Sequence, residues 1–136
     1  MSFVNQFFDF FLPRFCPSCN KKLEPSEYFI CSICIDKIKP AESEYLESEY
    51  KRKFLEDRII ADFICPYVFE KDKELQHIIH SIKYNGNFRL GMHLGKIVGS
   101  KLKERILGWS ADIIIPIPLH HLKKAERGYN QSYYIA

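Results

Sequence analysis

Cys16 and Cys19 in CPSC, and Cys31 and Cys34 in CSIC, form two CxxC pairs separated by eleven residues. A CxxC turn aims two thiolates at one point. Two such turns close a four-sulfur shell around one tetrahedral zinc ion, with Zn–S distances of about 2.3 Å. Such a shell keeps no open position for an activated water, so the expected ion is structural rather than hydrolytic. The competing assignment is a pair of disulfides. The chain shows no secretory signal, and disulfides are rare in reducing compartments, so zinc is favoured. Cys65 ends the apolar run Ile60-Ala61-Asp62-Phe63-Ile64-Cys65 and is expected to pack as a small hydrophobe, outside the ligand set.

A second concentration of reactive side chains runs from His120 to Gln131, with Lys123, Lys124 and Arg127 as cations and Asn130 and Gln131 as amides. His120 and His121, if extended, point to opposite faces and do not share a metal. His77 and His80 lie three apart on a helical pattern, but no carboxylate or third histidine has matching spacing, so a packed or solvated pair is expected.

The elements that must position these groups follow from periodicity. Phe3, Phe7, Phe10 and Phe11 fall at helical spacing and Pro13 ends the pattern, giving an amphipathic helix over 1–15. A zinc-ribbon module is expected over 16–40, with a short helix over Ile35 to Lys39 stopped by Pro40. Residues 41–57 read as a charged connector with room for a helical segment docked on one side. Ile59 to Phe69 is β-branched and aromatic and reads as extended structure interrupted by Pro66. From Lys73 to Tyr84, Leu75, Ile78, Ile79 and Ile82 mark a helix that Asn85-Gly86 should stop. A further helix over Phe88 to Ile106 carries Gly91, Gly95 and Gly99 four apart, spacing that admits close approach of a neighbour. Asp112 to Leu119 (DIIIPIPL) reads as a strand buried on both faces of a parallel sheet, and a helix should start near Asn130 or Gln131. Together these give an α/β class with the His120–Gln131 segment as a loop beyond a strand's carboxyl end, where ligands of open α/β sheets bind.

Composition bounds the rest. The 136 residues are 46% hydrophobic, enough for one modest core plus a metal-stapled module. No stretch approaches the length of a transmembrane helix, and the N-terminal run lacks a basic n-region and a small-residue cleavage site, so the expected location is cytoplasmic. The net charge of +3 is unevenly spread, with six acidic and three basic residues in 41–57 against eight basic and three acidic in 71–105. That distribution fits solvated helix faces or a surface that meets phosphate.

The leading aromatic segment, CPSC…CSIC, HSIKYNGN (His80 to Asn87) and IPIPLHHLKKAERGYNQS (Ile115 to Ser132) appear in one order. In this the chain resembles the ComF family, phosphoribosyltransferase-like proteins associated with competence for DNA uptake. The resemblance implies that 58–136 is the N-terminal part of a type I phosphoribosyltransferase-like parallel-sheet domain, with phosphoribosyl pyrophosphate as ligand. It implies Lys123, Lys124 and Arg127 as catalytic pyrophosphate contacts, Gly128 as a point of close backbone approach, and Asn130 and Gln131 as orienting groups. It also implies single-stranded DNA and DNA-uptake proteins as partners. The acidic pair and threonine-glycine loop that such enzymes use for ribose and 5′-phosphate are not in this sequence, so the chain reads as a C-terminally truncated member, catalytically incomplete alone.

Overall fold

Leu75, Ile78, Ile79 and Ile82 place one apolar stripe on a helix, and an Asn-Gly pair follows; a second glycine-bearing helix begins two residues later. This hairpin is the centre of the fold in the computed structural model, which describes residues 12–56 and 59–136. Six helices occur among the described residues: α1 Ser32–Asp36, α2 Ser43–Phe54, α3 Glu74–Tyr84, α4 Phe88–Gly108, α5 His121–Arg127 and α6 Gln131–Ile135. Gly86 takes a φ of 65°, so the left-handed stop expected after α3 is present. The Asn87 side chain then caps α4 by accepting from the Leu90 N–H at 3.2 Å.

The core forms where this hairpin meets the cysteine-bearing segment. Ile78, Ile82 and Leu90 are each 1% exposed. Ile30, Ile35 and Ile38 from the N-terminal part, Tyr67, and Ile78, Leu90, Leu94 and Ile97 from α3 and α4 line one shared apolar junction. The two parts therefore bury a common surface. α2 adds little to it and holds no fully buried residue. It carries the exposed pair Glu47–Lys51 at 2.6 Å and the half-buried Glu49, which pairs with Arg52 at 2.8 Å. Its inner face docks through Phe54 on Phe63, with ring centroids 5.5 Å apart, and through the Tyr50 hydroxyl, which donates to the Ile60 carbonyl at 2.7 Å.

Helix α6 lies along α4, and the glycines explain how closely. A Cβ on Gly95 would stand 2.2 Å from the Ile135 carbonyl oxygen, whereas one on Gly99 would meet nothing within 4 Å. Of the glycines spaced for close approach, Gly95 alone requires it: a Cβ on Gly91 would make ordinary contacts at 3.6 Å, and one on Gly99 none. Gly95→Ala is accordingly expected to lower stability by about 1–3 kcal/mol, since backbone must shift to admit the methyl. Gly99→Ala should raise it by about 0.5–1 kcal/mol through helix propensity. Urea unfolding of the two variants checks the contrast, and equal effects would contradict this packing.

Several sequence expectations are corrected. No sheet occurs among the described residues; the only strand-like pairings there are single bridges, Phe15 with Lys22 and Pro40 with Tyr67. The parallel-sheet α/β class, and with it the phosphoribosyltransferase-like domain architecture, is overturned by this helical structure. Ile59 to Phe69 forms no ladder beyond a single bridge, with Val68 N–H donating to the Lys39 carbonyl at 2.9 Å and Ala41 N–H to the Pro66 carbonyl at 3.2 Å. Asp112 to Leu119 has no ladder partner, and Ile113, Ile114, Ile115 and Ile117 stand 68–79% exposed where burial was expected. β-Branched residues favour strands chiefly through packing against neighbours, and no neighbouring strand is there to supply it. The short helix behind the second cysteine pair spans Ser32–Asp36 instead of Ile35 to Lys39. The helix expected at the N-terminus falls, through residue 11, outside the described residues. No helix among the described residues is long and apolar enough to cross a membrane.

Candidate metal centre

The first cysteine pair sits in a tight turn. Asn20 N–H donates to the Cys16 carbonyl at 2.9 Å, Cys16 N–H donates to the Lys21 carbonyl at 2.8 Å, and Asn20 itself takes a left-handed φ of 60°. An Asn tolerates that conformation better than most residues. The second pair is set on a helix start, with Cys31 at the N-cap of α1 and Cys34 inside its first turn. Turn and helix start face one another, and the four Sγ atoms of Cys16, Cys19, Cys31 and Cys34 lie within 4.8 Å of each other.

The geometry fits a tetrahedral ion. Four sulfurs at about 2.3 Å from one centre stand about 3.8 Å apart along each edge. Cys19 Sγ and Cys31 Sγ are 3.7 Å apart. Cys16, Cys31 and Cys34 are buried while Cys19 is exposed, so the cluster has three sulfurs toward the core and one toward solvent. All four cysteines are free thiols, as is Cys65, which is half-buried and stands outside the cluster as expected. This four-cysteine cluster can hold a metal ion.

Local electrostatics prepare part of the shell. Burial raises the Cys16 thiol, but backbone N–H groups of Cys31, Cys19 and Ser18 outweigh it and bring the thiol down to about 7. Burial pushes the Cys34 and Cys31 thiols up. A buried group of thiolates is costly without a cation, and a divalent ion both displaces the protons and offsets the charge. Binding therefore releases protons and tightens as pH rises.

Glu27, which motif reading did not single out, ties the turn at Glu24 to the helix start that carries the second cysteine pair. Its Oε1 accepts from the Ser32 N–H at 2.8 Å and the Ser32 hydroxyl at 3.1 Å, and its Oε2 accepts from the Glu24 N–H at 3.1 Å. Arg14 donates to the Glu27 carbonyl at 3.0 Å. Its carboxyl is held below the usual carboxylate range, first by the Ser32 backbone N–H and then by that of Glu24. The signal in the sequence was an acid shortly before a helix start, where Cys31 offers no capping side chain. Glu27→Gln is expected to weaken metal affinity by about tenfold, the lower end for residues that orient ligands. A lowered folded pKa makes the contribution present above the unfolded value, about 4.3, and lost as pH falls through the folded one. Chelator competition at neutral pH reads the effect, and an unchanged affinity would remove Glu27 from this role.

The expected site cations do not lie on a loop. Lys123, Lys124 and Arg127 lie on α5, whose residues HLKKAER are mostly strong helix formers. Lys123 pairs with Glu126 at 2.8 Å, while Lys124 is exposed. The Arg127 guanidinium donates to Gln131 Oε1 at 3.0 Å, lies 5.4 Å over the Tyr84 ring, and buries its Nε without a partner. Gly128 is the left-handed C-cap of α5 at φ 77°, and a Cβ there would meet nothing, so turn conformation and not close approach requires the glycine. Asn130 caps α6 by accepting from Ser132 N–H at 3.1 Å and donates to the Ile117 carbonyl at 3.0 Å. The structure thus brings Arg127 and Gln131 together and gives Asn130 and Gly128 structural work at helix ends. His120 and His121, expected on opposite faces, have ring centroids 4.2 Å apart. His80 packs edge-on against Tyr84 at 5.4 Å.

No protein-family model, curated protein or solved structure matches the chain. The functional reading therefore rests on the cluster and on the surface around it.

Proposed function

We propose that the chain is a zinc-stapled helical binding module, related in kind to the ComF proteins it resembles, with a structural rather than catalytic metal. The observation that carries this is the convergence of four cysteine sulfurs within 4.8 Å of one another beside a shared apolar junction. Four protein sulfurs fill the coordination shell, so the ion's contribution is to fold and orient the N-terminal segment against α3 and α4. The reading assigns no phosphoribosyl transfer, because the parallel sheet expected to carry the ligand loop does not occur among the described residues. Serine substitution at Cys34 with metal content and circular dichroism as readouts tests the proposal; a fully folded, metal-free variant would sink it.

The partner this module fits is single-stranded nucleic acid, favoured by the outer face of α4. Arg89, Lys96 and Lys103 recur every seven residues, about 10 Å apart along the helix, and all are exposed. At one end of this stripe Phe29, Phe88, Met92 and His93 join Arg89 and Lys96 around a surface pocket of about 290 Å³. Aromatic faces beside a row of cations suit stacked bases and their phosphates. With three phosphate contacts, the logarithm of affinity for an oligonucleotide should fall with the logarithm of salt at a slope of about −2. Lys96→Glu should flatten that slope and weaken binding, and salt-independent binding would contradict the reading.

A further inference from the structure

We infer, resting on the four-sulfur metal reading, that Cys19 is a site of oxidative modification, where a peroxide turns the metal-bound cluster into a Cys19–Cys31 disulfide and releases the ion. Cys16, Cys31 and Cys34 are 0%, 6% and 3% exposed, whereas Cys19 is open to solvent. A ligating cysteine is held as thiolate, and thiolate character together with exposure sets susceptibility to oxidants. One sulfur of the four therefore meets an oxidant first. Cys65 is the competing thiol, but it is half-buried and burial pushes its thiol up. It stays the less reactive sulfur.

Packing around the cluster selects the second sulfur. Cys31 is buried, and its Sγ stands 3.7 Å from Cys19 Sγ. A disulfide bond is about 2.05 Å long, so the pair closes by less than about 2 Å. Cys31 is the N-cap of α1, with extended backbone and no capping hydrogen bond from its side chain, so its thiol can turn without breaking the helix. Cys34 instead lies inside α1, and the first turn holds both backbone groups of Cys16, through Lys21 and Asn20.

The chemistry balances in two displacements. The Cys19 thiolate attacks one oxygen of the peroxide; the S–O bond forms as the O–O bond breaks, and the hydroxide that leaves is protonated by solvent. The new sulfenic oxygen faces solvent, so the Cys31 thiolate attacks Cys19 Sγ from the buried side. The S–S bond forms, the S–O bond breaks, and a second hydroxide leaves and is protonated. Two thiolates have lost two electrons and the peroxide has become two waters. Cys16 and Cys34 remain as two sulfurs, too few to close a tetrahedral shell. Ile30 and Ile35, beside Cys31 and Cys34, then lose their tether at the apolar junction. Oxidation thereby loosens the N-terminal segment from α3 and α4, and reduction with zinc present restores it.

Treating the zinc-loaded full chain with hydrogen peroxide beside a chromogenic zinc chelator, and mapping disulfides by peptide mass spectrometry at partial release, tests this. The expected result is release of the zinc with Cys19–Cys31 as the first bridge, Cys65 still reduced, and uptake of zinc again after reduction. Cys19→His keeps a zinc ligand but removes the oxidisable sulfur, and should slow release by at least about tenfold. Cys65→Ser should leave the release rate unchanged. Zinc content measured before peroxide shows whether each variant holds the ion; if Cys19→His does not, the first bridge in the unsubstituted chain decides. Zinc retained under peroxide, a first bridge other than Cys19–Cys31, or equal release from the two variants would each overturn the inference. An unsubstituted chain that takes up no zinc before peroxide would overturn the metal reading along with it.

Discussion

Stripping the metal, or replacing Cys34 with serine, is expected to unfold the segment from Arg14 to Pro40 while leaving part of the α3–α4 hairpin helical. The expectation follows from how little else orders that segment. Its regular structure is the five-residue α1 and two single bridges, Phe15 with Lys22 and, at its end, Pro40 with Tyr67. A helix this short is unstable by itself, because nucleation costs more than one turn of hydrogen bonds returns. Small four-ligand zinc sites supply an apparent binding free energy of about 10–16 kcal/mol at neutral pH. That exceeds the whole stability of many small domains, about 5–15 kcal/mol. Cys34 is the most informative position, because its side chain is buried and the neighbouring Ile35 and Ile38 enter the shared junction. Loss of the ion should therefore expose that apolar surface as well. Circular dichroism and dye binding during chelation follow both consequences, and readdition of zinc should reverse them.

Ile78→Ala is expected to destabilise the chain by about 2–5 kcal/mol and, in the same step, to weaken the metal site on the far side of the junction. Ile78 is 1% exposed and lines the same apolar space as Ile30, Ile35 and Ile38. Truncating it leaves a cavity that neighbours fill only partly, so lost contacts add to lost burial. Ile30 directly precedes Cys31, and Ile35 directly follows Cys34. The second cysteine pair is thus anchored through residues that pack on Ile78. A chelator competition series on Ile78→Ala should show faster metal loss than the unsubstituted chain, although the substitution touches no ligand. If the variant lost stability but kept its metal affinity, the two parts would fold independently and the shared junction would not couple them.

The metal cluster was legible in the sequence because its ligands are local: two CxxC turns specify most of the geometry, and only their mutual approach needs the fold. The α3 stripe was legible for the same reason, with Leu75, Ile78, Ile79 and Ile82 on one face and Gly86 at the stop. Strand assignments were not. The isoleucines of 113–117 carry the same local preference whether or not a neighbouring strand exists, and the preference is realised only by packing. In α5 the sequence did contain the answer, since Leu122, Lys123, Ala125, Glu126 and Arg127 are good helix formers closed by Gly128. Reading those residues through an expected ligand loop hid an ordinary helix signal. Glu27 escaped notice because its work is done by acceptor geometry between two turns, which spacing alone does not reveal.

The central claim is that four cysteines share one ion. Native mass spectrometry of the chain purified under reducing conditions measures it most directly, alongside the thiolate-to-metal absorption of a cobalt-substituted sample. The account predicts one zinc per chain, held with loss of the ligand protons, and a tetrahedral four-sulfur cobalt spectrum that vanishes in Cys34→Ser. A folded chain that carries no metal, or whose four cysteines are joined as two disulfides, would contradict it.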